Sequence, residues 1–275
     1  AMEVNIGGSF NTAMGVSALD ANISGANNVS LGTYSLSANT TASNNVAVGY
    51  SALNANTTGT ANTAVGASAL DANTTGTELT AVGKSALSAS TGSYNTAMGS
   101  GAMSNTTTAT HNTAVGRIAL SLNTTGANNT AVGSRALYAT TTAGTNTAVG
   151  ANALTTNTTG ASNTAVGSSA LYANTTGFEN VAVGSIALDA NTTGIGNVAI
   201  GEAALTTATT ASYNTGVGRA ALRLTTTGAS NTGIGFEALK ANTTGTQNVS
   251  VGANALTTNT TGDNNVALGI YALEA

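Results

Sequence analysis

His111 is the only histidine of this chain, and an imidazole is the side chain best suited to moving a proton near neutral pH. A nucleophilic triad or a metal centre would need a carboxylate or further ligands beside it, and neither its own repeat nor the adjacent ones supply any. Asp71 and Glu78 are the nearest acidic pair a glycoside-cleaving mechanism could enlist, but they occupy different positions of one repeat. Gly194-Ile195-Gly196-Asn197-Val198-Ala199 fits a loose dinucleotide fingerprint. That chemistry requires a preceding strand, a following helix and an acidic residue about 20 positions on, whereas this stretch reads as a turn running into a strand. Calcium solenoids place Asp in a Gly-rich nonapeptide that is missing here, and the absence of cysteine removes thiolate sites. The sequence therefore predicts no enzyme, no cofactor and no metal.

Two residue sets could bind something instead. The first is a scatter of aromatics expected at the surface: Tyr34, Tyr50, Tyr138, Tyr172, Phe178, Phe236 and Tyr271. Such rings can stack on sugars or pack on a receptor, with Tyr138, Tyr172, Phe178 and Phe236 as the chosen candidates. The second is a recurring Thr-Thr pair, for example Thr158 with Thr159 and Thr175 with Thr176, which would form hydroxyl rows of the kind found in ice-binding solenoids. The Asn-Thr-Thr triplets at Asn39 and Asn56 also match a glycosylation sequon, for which corner-forming chemistry is the simpler reading.

What must position these residues is a repeat. A glycine closes the phrase Asn-Thr/Val-Ala-Val-Gly every seventeen residues from Gly15 to Gly269, with one spacing of sixteen between Gly83 and Gly99. A short fixed period means that each repeat is one supersecondary step that buries its apolar face only against its neighbours. We number the Asn of each phrase slot 1 and the glycine slot 5. Residues 180 to 196 then read Asn-Val-Ala-Val-Gly-Ser-Ile-Ala-Leu-Asp-Ala-Asn-Thr-Thr-Gly-Ile-Gly.

Slot 2 is always Thr or Val, slot 3 Ala, Ser or Gly, and slot 4 Val, Ile, Leu or Met, which is the alternation of a strand. Slot 9 is Leu except at Met103 and slot 8 is Ala except at Ser35, read as a second short strand. On this pattern slots 2, 4 and 9 are expected to form the core, with the small residues of slots 3 and 8 facing away from it as a seam between chains. Slots 12 to 15, typically Asn-Thr-Thr-Gly, supply turn chemistry. Slot 1 is Asn in every repeat except at Leu79, predicting a ladder of stacked amides.

The composition agrees with this architecture. Zero proline suits a backbone ladder that needs every N–H, and all sixteen charged residues fall in slots 6, 7, 10, 16 and 17, which must face water. A net charge of -4 without a basic stripe argues against nucleic acid, and no apolar run approaches the ~20 residues of a membrane helix. We therefore expect an all-β parallel solenoid of about sixteen coils, one domain over residues 3–275, with Ala1-Met2 a cloning scar. At ~4.8 Å per strand this would make roughly 75 Å of rod. The chain starts and stops in mid-repeat, so it is expected to be a slice of a longer fibre.

The phrases Asn180-Val181-Ala182-Val183-Gly184 and Asn197-Val198-Ala199-Ile200-Gly201 resemble the Asn-Ser-Val-Ala-Ile-Gly signature in the heads of trimeric autotransporter adhesins. The full repeat also looks like those of bacterial and phage tail-fibre proteins that end in a self-cleaving chaperone domain. The resemblance implies a left-handed β-roll, three chains side by side, extracellular, on a cell surface or on a virion, used to reach and bind surfaces. The expected function is a stiff adhesive fibre segment, a homotrimer with a glycan or cell-surface receptor as possible partner and no membrane insertion. The alternative is a monomeric ice-binding solenoid using its Thr and Asn ladders.

Overall fold

Slots 2 to 4 of each coil do form a strand, and nothing longer. The computed structural model describes residues 1–274, in which every regular element is a three-residue β-strand. Contacts group the chain into two units, Ala1–Arg135 with Thr140–Thr142, and Ala136–Ala139 with Ala143 onward. The first unit carries eight strands, β1 (Thr12–Met14) through β8 (Thr130–Val132). The second carries eight more, β9 (Thr147–Val149) through β16 (Val266–Leu268). Within each unit the strands are parallel and paired in chain order, seventeen residues apart, as in Thr164↔Val181 and Val166↔Val183. Each unit is thus a parallel β-solenoid with one sheet. Where the repeat is one residue short, Thr80 still pairs with Thr96 and Val82 with Met98. The missing residue is taken from the turn at Ser90-Thr91-Gly92, and the strand register is untouched.

The inward and outward faces of the strand are the reverse of the sequence expectation. Slots 3 and 8 are the buried ones: Ala165, Ala170, Ala182 and Ala187 are all 0% exposed, together with the slot 9 column of Leu171 and Leu188. Slots 2 and 4 point outward, with Val149 37% and Ile200 40% exposed. The reason is the width of the coil. A β-carbon added at Gly216, in slot 3, would already meet the Leu205 side chain at 3.5 Å and the Ala221 carbonyl oxygen at 3.4 Å. An interior one methyl wide admits Ala, Ser or Gly and rejects Val. Where slot 3 is Ser, its hydroxyl donates to the slot 8 carbonyl across this gap, from Ser30 to Ser35 at 2.8 Å and from Ser250 to Ala255 at 2.7 Å. The alanine columns are therefore the interior of each solenoid, not a seam between chains.

Slots 6 to 11 form a run of turns in place of the expected second strand. Its corner is set at slot 5, where Gly184 has φ +135 and a β-carbon would lie 2.6 Å from the carbonyl of Gly201 in the next coil. Only glycine satisfies both conditions. Slot 9 is also left-handed, with Leu188 at φ 53. That region disfavours β-branching, and the buried slot 9 uses Leu or Met while Val and Ile fill the extended slot 4. Slot 7 is left-handed too and does carry branched residues, at Ile118 and at Ile186, which is 37% exposed.

Candidate binding surfaces

The polar interior is assembled from two asparagine columns. Slot 1 behaves as predicted: Asn180 Oδ1 accepts both the backbone N–H of Asn197 at 3.0 Å and its side-chain amide at 3.1 Å. Asn180 Nδ2 donates to the Gly194 carbonyl at 2.9 Å, and Asn191 of slot 12 donates to the same oxygen at 3.1 Å. Slot 12 makes its own ladder, as in Asn174 to Asn157 at 2.8 Å and Asn191 to Asn174 at 2.9 Å. These amides are fully buried, so the Asn-Thr-Thr triplets at Asn39 and Asn56 present no side chain to a glycosylating enzyme. Leu79 interrupts the slot 1 column: its N–H still donates to Asn62 Oδ1 at 3.0 Å, but it offers no acceptor to Asn95 in the following coil.

The threonine pairs separate onto different surfaces. Thr158 Oγ1 donates to the Thr175 carbonyl at 3.0 Å and Thr175 Oγ1 to the Thr192 carbonyl at 3.0 Å, so slot 13 hydroxyls are spent on the backbone of the next coil. Thr159 and Thr176 of slot 14 are exposed and form a single column. A strand with both hydroxyls outward, as a flat ice-binding face requires, does not arise from this pair.

The four chosen aromatics are not brought together. Tyr172 is 40%, Phe178 43% and Phe236 42% exposed, while Tyr138 is half-buried. Tyr138 and Tyr172 lie in slot 10, Phe178 in slot 16 and Phe236 in slot 6. Phe236 instead holds the Arg219 guanidinium, 5.7 Å from its ring centre, and Arg219 in turn meets Glu202 at 3.3 Å. Lys240 pairs with Glu237 at 2.9 Å. Slot 17 carries three further rings that the sequence reading did not name: Phe10, 87% exposed, Tyr94, stacked on His111 with centroids 5.0 Å apart, and Tyr213, 61% exposed. Reading that slot down the column would have found all three.

The catalytic candidates remain apart in role. His111 faces a tyrosine ring, and burial raises the pKa of Asp71 against the opposing pull of its backbone hydrogen bonds. Gly194–Gly196 enters the strand Val198–Ile200, as the sequence indicated. No group of three or more His, Asp or Glu that could hold a metal ion occurs among the described residues. No helix among them is long and apolar enough to cross a membrane.

The outward sheet face runs the length of each unit. Slot 2 supplies Thr or Val and slot 4 a large aliphatic residue in every coil, with no charge in either column. Val65, Met98, Val166, Ile234 and Val249 are each more than a third exposed. No protein-family model matches the chain, and no curated protein is found similar to it.

Proposed function

We propose that this chain is a segment of a structural, adhesive fibre, built as a homotrimer whose chains join along the outward Thr/Val and aliphatic columns. The observation that carries the reading is that apolar face. Two columns of aliphatic or near-isosteric residues without one charge in sixteen coils mark an interaction surface rather than a solvated one. Slot 2 alternates freely between Thr and Val, from Thr164 to Val181 and Val198 and back to Thr215. Shape is kept while the hydroxyl is not, which is what packing demands and a water-ordering hydroxyl array does not. A closed cyclic arrangement lets equivalent faces of three copies meet. The seam differs from the alanine seam expected from the sequence, while the assembly stays the same. Such a fibre would act outside the cell or on a virion, where reach and stiffness serve attachment.

Ice binding is the second reading, favoured by the exposed slot 14 threonine column. It is weakened by the engagement of the slot 13 hydroxyls, and no thermal hysteresis is expected. The deciding experiment is mass in solution by sedimentation equilibrium at micromolar concentration. A trimer is expected for the native chain, with dissociation on Val166→Glu together with Val183→Glu while far-ultraviolet circular dichroism stays β. A monomeric native chain overturns the proposal.

A further inference from the structure

Slots 16 and 17 of the second unit carry one patch that does not follow the repeat. Phe178, Ile195, Gly196 and Tyr213 stand on successive coils, stacked through the bonds Gly196 N–H to the Phe178 carbonyl at 3.2 Å and Tyr213 N–H to the Ile195 carbonyl at 2.9 Å. A β-carbon at Gly196 would lie 2.9 Å from Cδ1 and 3.1 Å from Cε1 of Tyr213. The tyrosine ring thus lies back over the glycine, which is the only glycine in slot 17, and remains 61% exposed. Phe178 is 43% exposed, and the two aromatic residues are anchored two coils apart, roughly 10 Å along the strand-stacking direction. Glu179, the slot 17 residue one coil before Gly196, is also exposed.

We infer that this corner is a carbohydrate platform for a neutral or amino hexopyranose. The inference rests on the adhesive-fibre reading and adds its ligand class. An exposed aromatic ring offers an apolar face to the C–H face of a sugar, and a carboxylate beside it accepts hydrogen bonds from hydroxyls or an amino group. Charge selects the class. All six Lys and Arg residues lie in slots 6, 7 and 10, whereas the only charges in slots 16 and 17 are Glu78, Glu179 and Asp263. An acidic or uronic sugar would meet no cation at this corner. Other ring pairs are less suited: Tyr94 and His111 occupy each other's faces at 5.0 Å, and Tyr34 meets Tyr50 edge-on at 6.1 Å.

The test uses the full chain, with chitotriose, lactose and sialyllactose titrated separately by calorimetry. Chitotriose or lactose is expected to bind, and sialyllactose to bind no more tightly than lactose. Tyr213→Ala should weaken binding about tenfold, the scale of one lost aromatic stack. Gly196→Ser should do the same by lifting the ring, without harming the fold, because Ser162 and Ser230 occupy the same slot with φ 58. Absence of binding by the neutral and amino sugars, or binding indifferent to both substitutions, overturns the inference, as does preference for sialyllactose. Mass measured on the same samples separates the two proposals. A trimer that fails to bind sugar sinks only the platform, and a monomer that binds sinks only the fibre.

Discussion

The two asparagine columns of the second unit run side by side through the same interior, yet one is unbroken and the other is not. From Asn146 to Asn265 slot 1 never changes, whereas slot 12 loses its amide at Ala208 and Thr225. Both columns are buried and both stack amide on amide. The difference lies in what the oxygen receives. From Asn146 to Asn248 every slot 1 Oδ1 accepts a backbone N–H from the following coil, as Asn197 does from Asn214 at 3.0 Å. A backbone donor cannot be substituted away, so losing the acceptor leaves it buried and unpaired. In this unit the slot 12 oxygens of Asn157, Asn174 and Asn242 receive only a side-chain amide, a backbone N–H being taken, among the described residues, at Asn259 alone, from Gly262 at 3.1 Å, and two side chains can vanish together. The remnants are visible where they did not: Asn191 Oδ1, facing Ala208, is buried without a partner, and so is Thr225 Oγ1.

Breaking each column in turn should expose that asymmetry most strongly. Asn197→Ala removes the acceptor of the Asn214 N–H and the donor to the Ala211 carbonyl, and should cost about 3 kcal/mol. Asn174→Ala leaves only side-chain amide groups wanting, because the Gly177 carbonyl keeps its bond from Asn163 at 2.8 Å, and should cost about 1.5 kcal/mol. Because opening in a repeat array is local, hydrogen exchange at the Asn214 and Asn191 amides is the proper measurement. Equal losses at the two positions would refute the distinction.

Restoring the interrupted column is a gain of the next size. Ala208→Asn gives Asn191 Oδ1 a donor, and should add about 1 kcal/mol of local protection. The geometry has a precedent in this chain, since Asn39 donates to the Ala42 carbonyl at 3.0 Å with the same alanine in slot 15 that Ala211 provides. Loss of protection on this substitution would show that the gap at Ala208 is required by packing.

The smallest expected effect belongs to Asp189, next to the Asn191 defect. Burial raises its pKa above the ordinary carboxylate value, opposed by backbone hydrogen bonds, and its Oδ1 has no partner. A carboxyl with a raised folded pKa contributes stability that is present below the unfolded pKa and is lost as pH rises through the folded one. Asp189→Asn should therefore stabilise the second unit slightly at pH 7 and change nothing near pH 3, read from thermal melts at both. A larger gain at pH 3 than at pH 7 would contradict the assignment.

Much of this was legible in the residues. The period gave the coil, the Asn of slot 1 gave the ladder, and the glycine of slot 5 gave the corner. Each of these depends on chemistry local to a residue and its image one repeat away. Leu79 was equally visible as the one interruption. The aromatic platform was half legible: Phe178 stood out by type, but Tyr213 gained its meaning only from lying over Gly196, a contact between successive coils.

The residue order alone dictates that every coil repeats the same backbone path, because conformational preference and hydrogen-bonding capacity are properties of individual residues in fixed order. Which side of the strand is the inside was settled by packing across the coil. Alternation marks two faces without orienting them, and the choice was made by the narrow gap between opposite walls of a coil, which accepts the methyl of Ala165 and turns Val166 outward.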